Sequence, residues 1–130
     1  MNEKIYQGTD KTISLPVYDE NQNQIDLTDL VTAEIVNIVA FLNSNYDVQD
    51  SFVLNKTGQY ENGFYPLTIV DNKVVLKLGR NQTQNYKTGT LNIEIVLVKT
   101  DATAYEGFTH TNYPQNKIGC ILPSEARRIA

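Results

Sequence analysis

Gly8-Thr-Asp-Lys-Thr-Ile-Ser-Leu-Pro-Val-Tyr-Asp-Glu-Asn-Gln-Asn-Gln-Ile-Asp-Leu-Thr28 reads as a strand, a polar turn and a short return. Ile13, Leu15 and Val17 alternate with Thr12, Ser14, Pro16 and Tyr18, the period of two expected of a half-buried strand. Pro16 has no amide hydrogen to give to a ladder, which puts this strand at an edge or beside a bulge. The run of Asp, Asn and Gln over residues 19–24 predicts a turn held by side-chain-to-backbone hydrogen bonds. Residues 25–28 form the return, and residues 27–31 can start a helical turn capped by Asp26 or Thr28.

Outward from this stretch the chain reads as more strands with turn signals between them. Strands are expected over residues 3–7, 32–42, 51–54, 64–70, 73–78, 91–98 and 117–122. Asp71-Asn72 links two of them with residues that accept the left-handed backbone of a type I′ turn. Residues 91–98 put Leu91, Ile93, Ile95 and Leu97 on one face, the pattern of a central strand. Polar connections are expected at 43–50, 55–63 and 79–89, and a long aromatic loop at 100–115. About seven to eight short strands with turns roughly every ten residues predict an all-β immunoglobulin-like sandwich. The expected layout is a single domain over 1–122, then a C-terminal tail or short helix over 123–130 with Ser124 as cap.

At 130 residues the chain fits one domain and is long enough to bury roughly two-thirds of its unfolded surface without disulfides. Hydrophobic residues at 41% and charged residues at 20% place it with globular chains rather than disordered ones. A net charge of −4 speaks against a nucleic-acid partner, which needs a basic face. The sole cysteine, Cys120, leaves no intrachain disulfide to form. Residues 1–7 lack the apolar core of a signal peptide, and no apolar run is long enough for a membrane span. Neither a membrane nor a nucleic acid is therefore expected as a partner.

Chemistry-bearing residues are few and scattered. His110 is the only histidine and lacks the pattern of a triad or metal site, so it reads as a surface loop residue. Cys120 lies among Ile118, Ile121 and Leu122 and reads as a buried structural thiol. Asp19 to Asp26 resembles a calcium loop superficially, but Gln24 and Leu30 stand where that loop needs Gly and Glu; a weak cation site from Asp19 and Asp26 is the functional counterpart. Asn55-Lys-Thr57 and Asn81-Gln-Thr83 match the glycosylation pattern by chance. No enzyme activity, cofactor or metal is expected. The candidate contact residues are Tyr105, Phe108 and Tyr113 on the long loop, and Arg127, Arg128 and Ile129 in the tail. Aromatic loops serve protein interfaces or carbohydrate platforms.

Three pieces carry a family resemblance. They are Gly8-x-x-Lys-Thr-Ile-x-Leu-x-Val-x-Asp with Ile25-Asp-Leu-Thr28, Lys73-Val-Val-Leu-Lys-Leu78, and Thr83-x-x-Tyr-x-x-Gly89-x-Leu-x-x-Glu-Ile-x-Leu97. Together they resemble the immunoglobulin-like N-terminal module of tailed-phage baseplate upper proteins and related virion adaptors. Tyr86 stands where that pattern usually has Leu, and Leu91 where it has Tyr. The likeness runs to about Lys99. It implies a non-enzymatic structural component of a virion, assembled in the host cytoplasm. Such a component is a capsid accessory, a collar or tail adaptor, or a fibre-docking protein. Its partners would be other virion structural proteins, in multiple copies within a symmetric assembly. Edge strands over 3–7 or 12–18 would pair with neighbours. The alternative expectation is a carbohydrate-binding module that stacks sugars on Tyr105, Phe108 and Tyr113.

Overall fold

A computed structural model describes residues 2–28, 35–55 and 63–124. The strands are β1 (Glu3–Tyr6), β2 (Lys11–Leu15), β3 (Ile35–Ser44), β4 (Asp47–Asn55), β5 (Tyr65–Val70), β6 (Lys73–Leu78), β7 (Gly89–Thr100) and β8 (Phe108–Leu122), with one helical turn, α1 (Arg80–Thr83), before β7. The protein is all-β. Its eight strands form one mixed sheet in the order β1-β8-β7-β3-β4-β5-β6-β2, curled nearly into a barrel. The β1/β8 and β4/β5 pairs are parallel and the others antiparallel.

The alternation seen in the sequence decides which face is buried. Ile13, Leu15 and Val17 of the opening stretch are at most 1% exposed, as are Leu91, Ile93, Ile95 and Leu97 of β7. They join Ile38, Ala40 and Leu42 of β3, Phe52 of β4 and Leu67, Val74 and Leu76 of the β5–β6 hairpin in one core. Fully burying a side chain of this size stabilises the fold by about 1.5–3 kcal/mol. The other face of the β4-β3-β7 sheet carries a smaller apolar group of Val53, Val39, Val96 and Val98, against which Phe41 and Phe64 pack, their rings edge to face with one another. The β5–β6 turn is as expected, with φ of 52° at Asp71 and 59° at Asn72.

Three expectations need correction. The expected long aromatic loop over 100–115 is mostly strand. Phe108 begins β8, which pairs with β7 from Thr100↔Phe108 to Gly89↔Ile121. Only residues 101–107 form the loop, tied by Asp101 N–H to Gly107 O (2.9 Å) and Gly107 N–H to Ala104 O (3.1 Å). The polar residues of β8 hid it, because a strand with one wet face needs few apolar side chains. The connection expected at 43–50 is a tight Asn45–Tyr46 turn between β3 and β4, both residues at positive φ. The connection expected at 79–89 contains α1.

The barrel end is clasped by α1. Thr83, fully buried, accepts from the Gly8 N–H (3.1 Å) and donates to Thr9 O (2.7 Å). Arg80 N–H donates to Asp10 (2.9 Å), and the Gln7 amide donates to Tyr86 O (2.7 Å). The Tyr86 hydroxyl donates to Asp50. Burial first, and then the Asp50 carboxylate, push the Tyr86 pKa well above its ordinary range. The threonine of the Asn81-Gln-Thr83 sequence match is therefore a structural hydroxyl.

Candidate functional site: a seam and trough along β8

β1 and β2 are the terminal strands, so the sheet has a seam where its two ends meet. Lys11 and Glu3 form an ion pair across it at 2.9 Å. Beyond Leu15 the chain continues as a small hairpin. The Ile25 N–H donates to Val17 O (2.8 Å), and Tyr18 bridges Gln24. Asp19 accepts from the N–H groups of Asn21 and Asn23, both at 2.9 Å, which is the side-chain-held turn expected of this sequence.

Two amide side chains hold this excursion where the ladder stops. The buried Gln115 of β8 accepts from the Tyr18 N–H (3.3 Å) and donates to Tyr18 O (2.9 Å) and to Tyr113 O (3.1 Å). Asn72 of the β5–β6 turn accepts from the Leu27 N–H and donates to Ile25 O (3.3 Å). Each amide offers one acceptor and a donor in one plane, as a peptide group does, and so stands in for a strand neighbour.

Next to Gln115, β8 bulges. Leu91 pairs with Gly119 and Ile93 with Gln115, so Asn92 alone is opposed by Asn116, Lys117 and Ile118. Lys117 takes φ 53°, and its N–H donates to Asn92 Oδ1 (2.6 Å). A bulge re-aims the side chains of its extra residues. Here Asn116 and Lys117 are turned to solvent.

Three hollows meet at the bulge. One of about 320 Å³ lies between Leu15–Pro16 and residues 114–118. One of about 580 Å³ lies between the 18–22 turn and residues 111–114 of β8. One of about 340 Å³ lies between Asn45–Tyr46 and Asn116–Lys117. Tyr18 and Asn116 line both of the first two, and Asn116 also lines the third. Gln22, Asn45, Tyr46 and Lys117, which line these hollows, have φ between 53° and 69°. Such backbone is uncommon for residues other than glycine and concentrates at binding sites.

The anticipated contact residues do not form one surface. Tyr105 stands fully exposed at the tip of the 101–107 loop. Phe108 and Tyr113 are an odd number of residues apart on β8 and face opposite sides of the sheet. Phe108 is 37% exposed, whereas Tyr113 packs on the main core. Arg127, Arg128 and Ile129 lie outside the described residues. His110 is an exposed β8 residue beside Val98, not a loop residue. Cys120 is half-buried rather than buried, because its side chain lies on the strand face opposite Ile121. The Asp19 and Asp26 carboxylates each serve their own turn, Asp26 accepting from the Thr28 N–H (2.9 Å) and hydroxyl. Those bonds hold the Asp26 carboxyl below its ordinary pKa. Among the described residues, no cluster of three metal-ligating side chains forms.

Sequence reading missed the trough residues Tyr18, Tyr46, Asn116 and Lys117. The available signal was a break in period. Tyr113 and Gln115 point inward, as does Ile118, and a step of three from Gln115 to Ile118 does not fit an unbroken strand.

β8 has a second feature. β1 covers its outer edge only from Gly119 to Leu122. Among the described residues, no strand pairs with the outer edge over 108–114. Comparison of the chain with protein-family models, curated proteins and solved structures returns no match.

Proposed function

We propose that this protein is a non-enzymatic structural component that works by packing against other proteins, in the setting its sequence resemblance implies, a tailed-phage virion. The observation that carries this reading is the outer edge of β8 over 108–114. Every second residue there directs its N–H and C=O away from β7. The segment Phe-Thr-His-Thr-Asn-Tyr-Pro holds no Lys, Arg, Asp or Glu. Proteins ordinarily guard exposed edges with charge, proline, bulges or very short strands; Pro114 and the bulge after it guard the far end of this edge, and the stretch over 108–113 is left able to accept a strand from a neighbour. On this reading the docking edge is that of β8 over 108–113, while β1 and β2, the terminal strands of the sheet, face each other across the seam. The two-residue β4/β5 link favours reading the sheet as two layers, β1-β8-β7-β3-β4 against β5-β6-β2, as in an immunoglobulin-like sandwich.

The test is particle association in the cells that make the protein. Asn112→Pro removes one backbone donor from β8. The expected result is that the wild-type chain co-purifies with assembled particles and a folded Asn112→Pro chain does so at least about tenfold less. A wild-type chain found only in the free soluble fraction overturns the reading.

A further inference from the structure

We propose that the trough along the β8 bulge is a binding site for a neutral carbohydrate chain. A sugar ring offers a C–H face and a rim of hydroxyls. It is recognised by an exposed aromatic plane together with planar groups that both donate and accept hydrogen bonds. The trough supplies both. Tyr18 is 39% exposed where the first two hollows meet, and Tyr46 stands fully exposed at the third. Gln22, Asn112 and Asn116, all amide residues, line the second hollow beside Tyr18, and Asn116 continues into the third beside Tyr46.

The charge pattern selects a neutral ligand. Lys117 is the only cationic residue lining the hollows. Asp19 and Glu20 line the same hollows, so the linings carry two carboxylates against one ammonium group. An anionic polymer would need a cluster of cations that is not among these linings. Each hollow is of ligand size, and the left-handed residues around them are built into turns and a bulge, so the walls are formed before a ligand arrives. This differs from a platform of Tyr105, Phe108 and Tyr113, which the strand's alternation separates.

The experiment is an amide NMR titration of the full chain with maltose, cellobiose, lactose and N,N′-diacetylchitobiose in turn. At least one of these is expected to give saturable shifts centred on Tyr18, Asn112, Asn116 and Tyr46. Tyr18→Ala is expected to weaken that binding about tenfold or more, and Tyr105→Ala to leave it unchanged. Gln115 grips the backbone of Tyr18, so removing the ring leaves those bonds in place; an unaltered amide spectrum away from the trough verifies this. Failure of all four sugars to give a saturable shift overturns the proposal. So do shifts centred on 101–107, or a Tyr18→Ala affinity equal to wild type. Asn112 belongs to both the edge and the trough, so the trough is read by Tyr18→Ala, which leaves the edge intact, and sugar binding by the wild-type chain does not depend on particle association.

Discussion

The side chain of Gln115 holds both backbone polar groups of Tyr18, accepting from its N–H at 3.3 Å and donating to its C=O at 2.9 Å. An amide side chain thus does at one point what a ladder does along a strand. It fixes the 17–25 hairpin against β8 and defines the apex of the trough. Removing it in Gln115→Ala leaves buried groups unpaired, at a cost of about 1–3 kcal/mol. Gln115→Glu separates bonding from shape. An ionised carboxylate still accepts from Tyr18 N–H but cannot donate to the carbonyls of Tyr18 and Tyr113. Its stability is expected to fall below wild type at neutral pH and to recover partly as the carboxyl protonates, read by urea unfolding across pH.

Gly119 lies directly under β1. A Cβ built on it would sit 1.8 Å from the Glu3 carbonyl oxygen, backbone that has no rotamer to move aside. Gly119→Ala is expected to displace β1 and to cost about 3 kcal/mol or more by overpacking. Faster hydrogen exchange at Ile5 and Tyr6, beyond any change at β7, is the check. Unchanged protection would contradict this packing.

Thr83 joins α1 to the β1–β2 turn through one hydroxyl that both accepts and donates. Thr83→Val keeps the shape and loses both bonds, leaving the Gly8 N–H and Thr9 C=O without it. A loss of about 1–3 kcal/mol in denaturant unfolding is expected, while Thr83→Ser retains most of the stability.

Asp101 orders the 101–107 loop by accepting from Thr103 N–H (2.9 Å) and from the hydroxyls of Thr103 (2.6 Å) and Thr109 (2.7 Å). The Thr103 and Thr109 hydroxyls foremost lower its pKa from 3.8 to about 2. A carboxyl depressed in the folded state contributes its stability above the unfolded pKa and loses it as pH falls through the folded one. Loop order is therefore expected to hold at pH 4 and above and to fade between 3.8 and about 2. Side-chain carboxyl NMR should report the midpoint, and Thr103 amide exchange the loss of order. A midpoint near 3.8 would contradict the bonding described.

The core was legible in the sequence because its signal is local. Alternation in residues 12–18 and 91–98 marks inward positions whatever the neighbouring strands are. The Asp71-Asn72 turn was legible because the required backbone limits the residues that fit. β8 was not legible, since its polar, aromatic and Pro-containing run carries strand pairing that only β7 reveals. The seam was illegible for a related reason. Gln115 and Asn72 look like ordinary loop amides until the fold brings Tyr18 and Ile25–Leu27 within reach, tens of residues away in sequence. The trough depends on the bulge opposite Asn92, which appears in sequence only as a slip of phase before Ile118.

The most direct test of the packing account is density-gradient sedimentation of a native lysate, with the chain and its Asn112→Pro variant followed by antibody. The account predicts that the wild-type chain sediments with large particles while the variant, folded by amide NMR, stays at the top. A wild-type chain that remains at the top as a free monomer would contradict it.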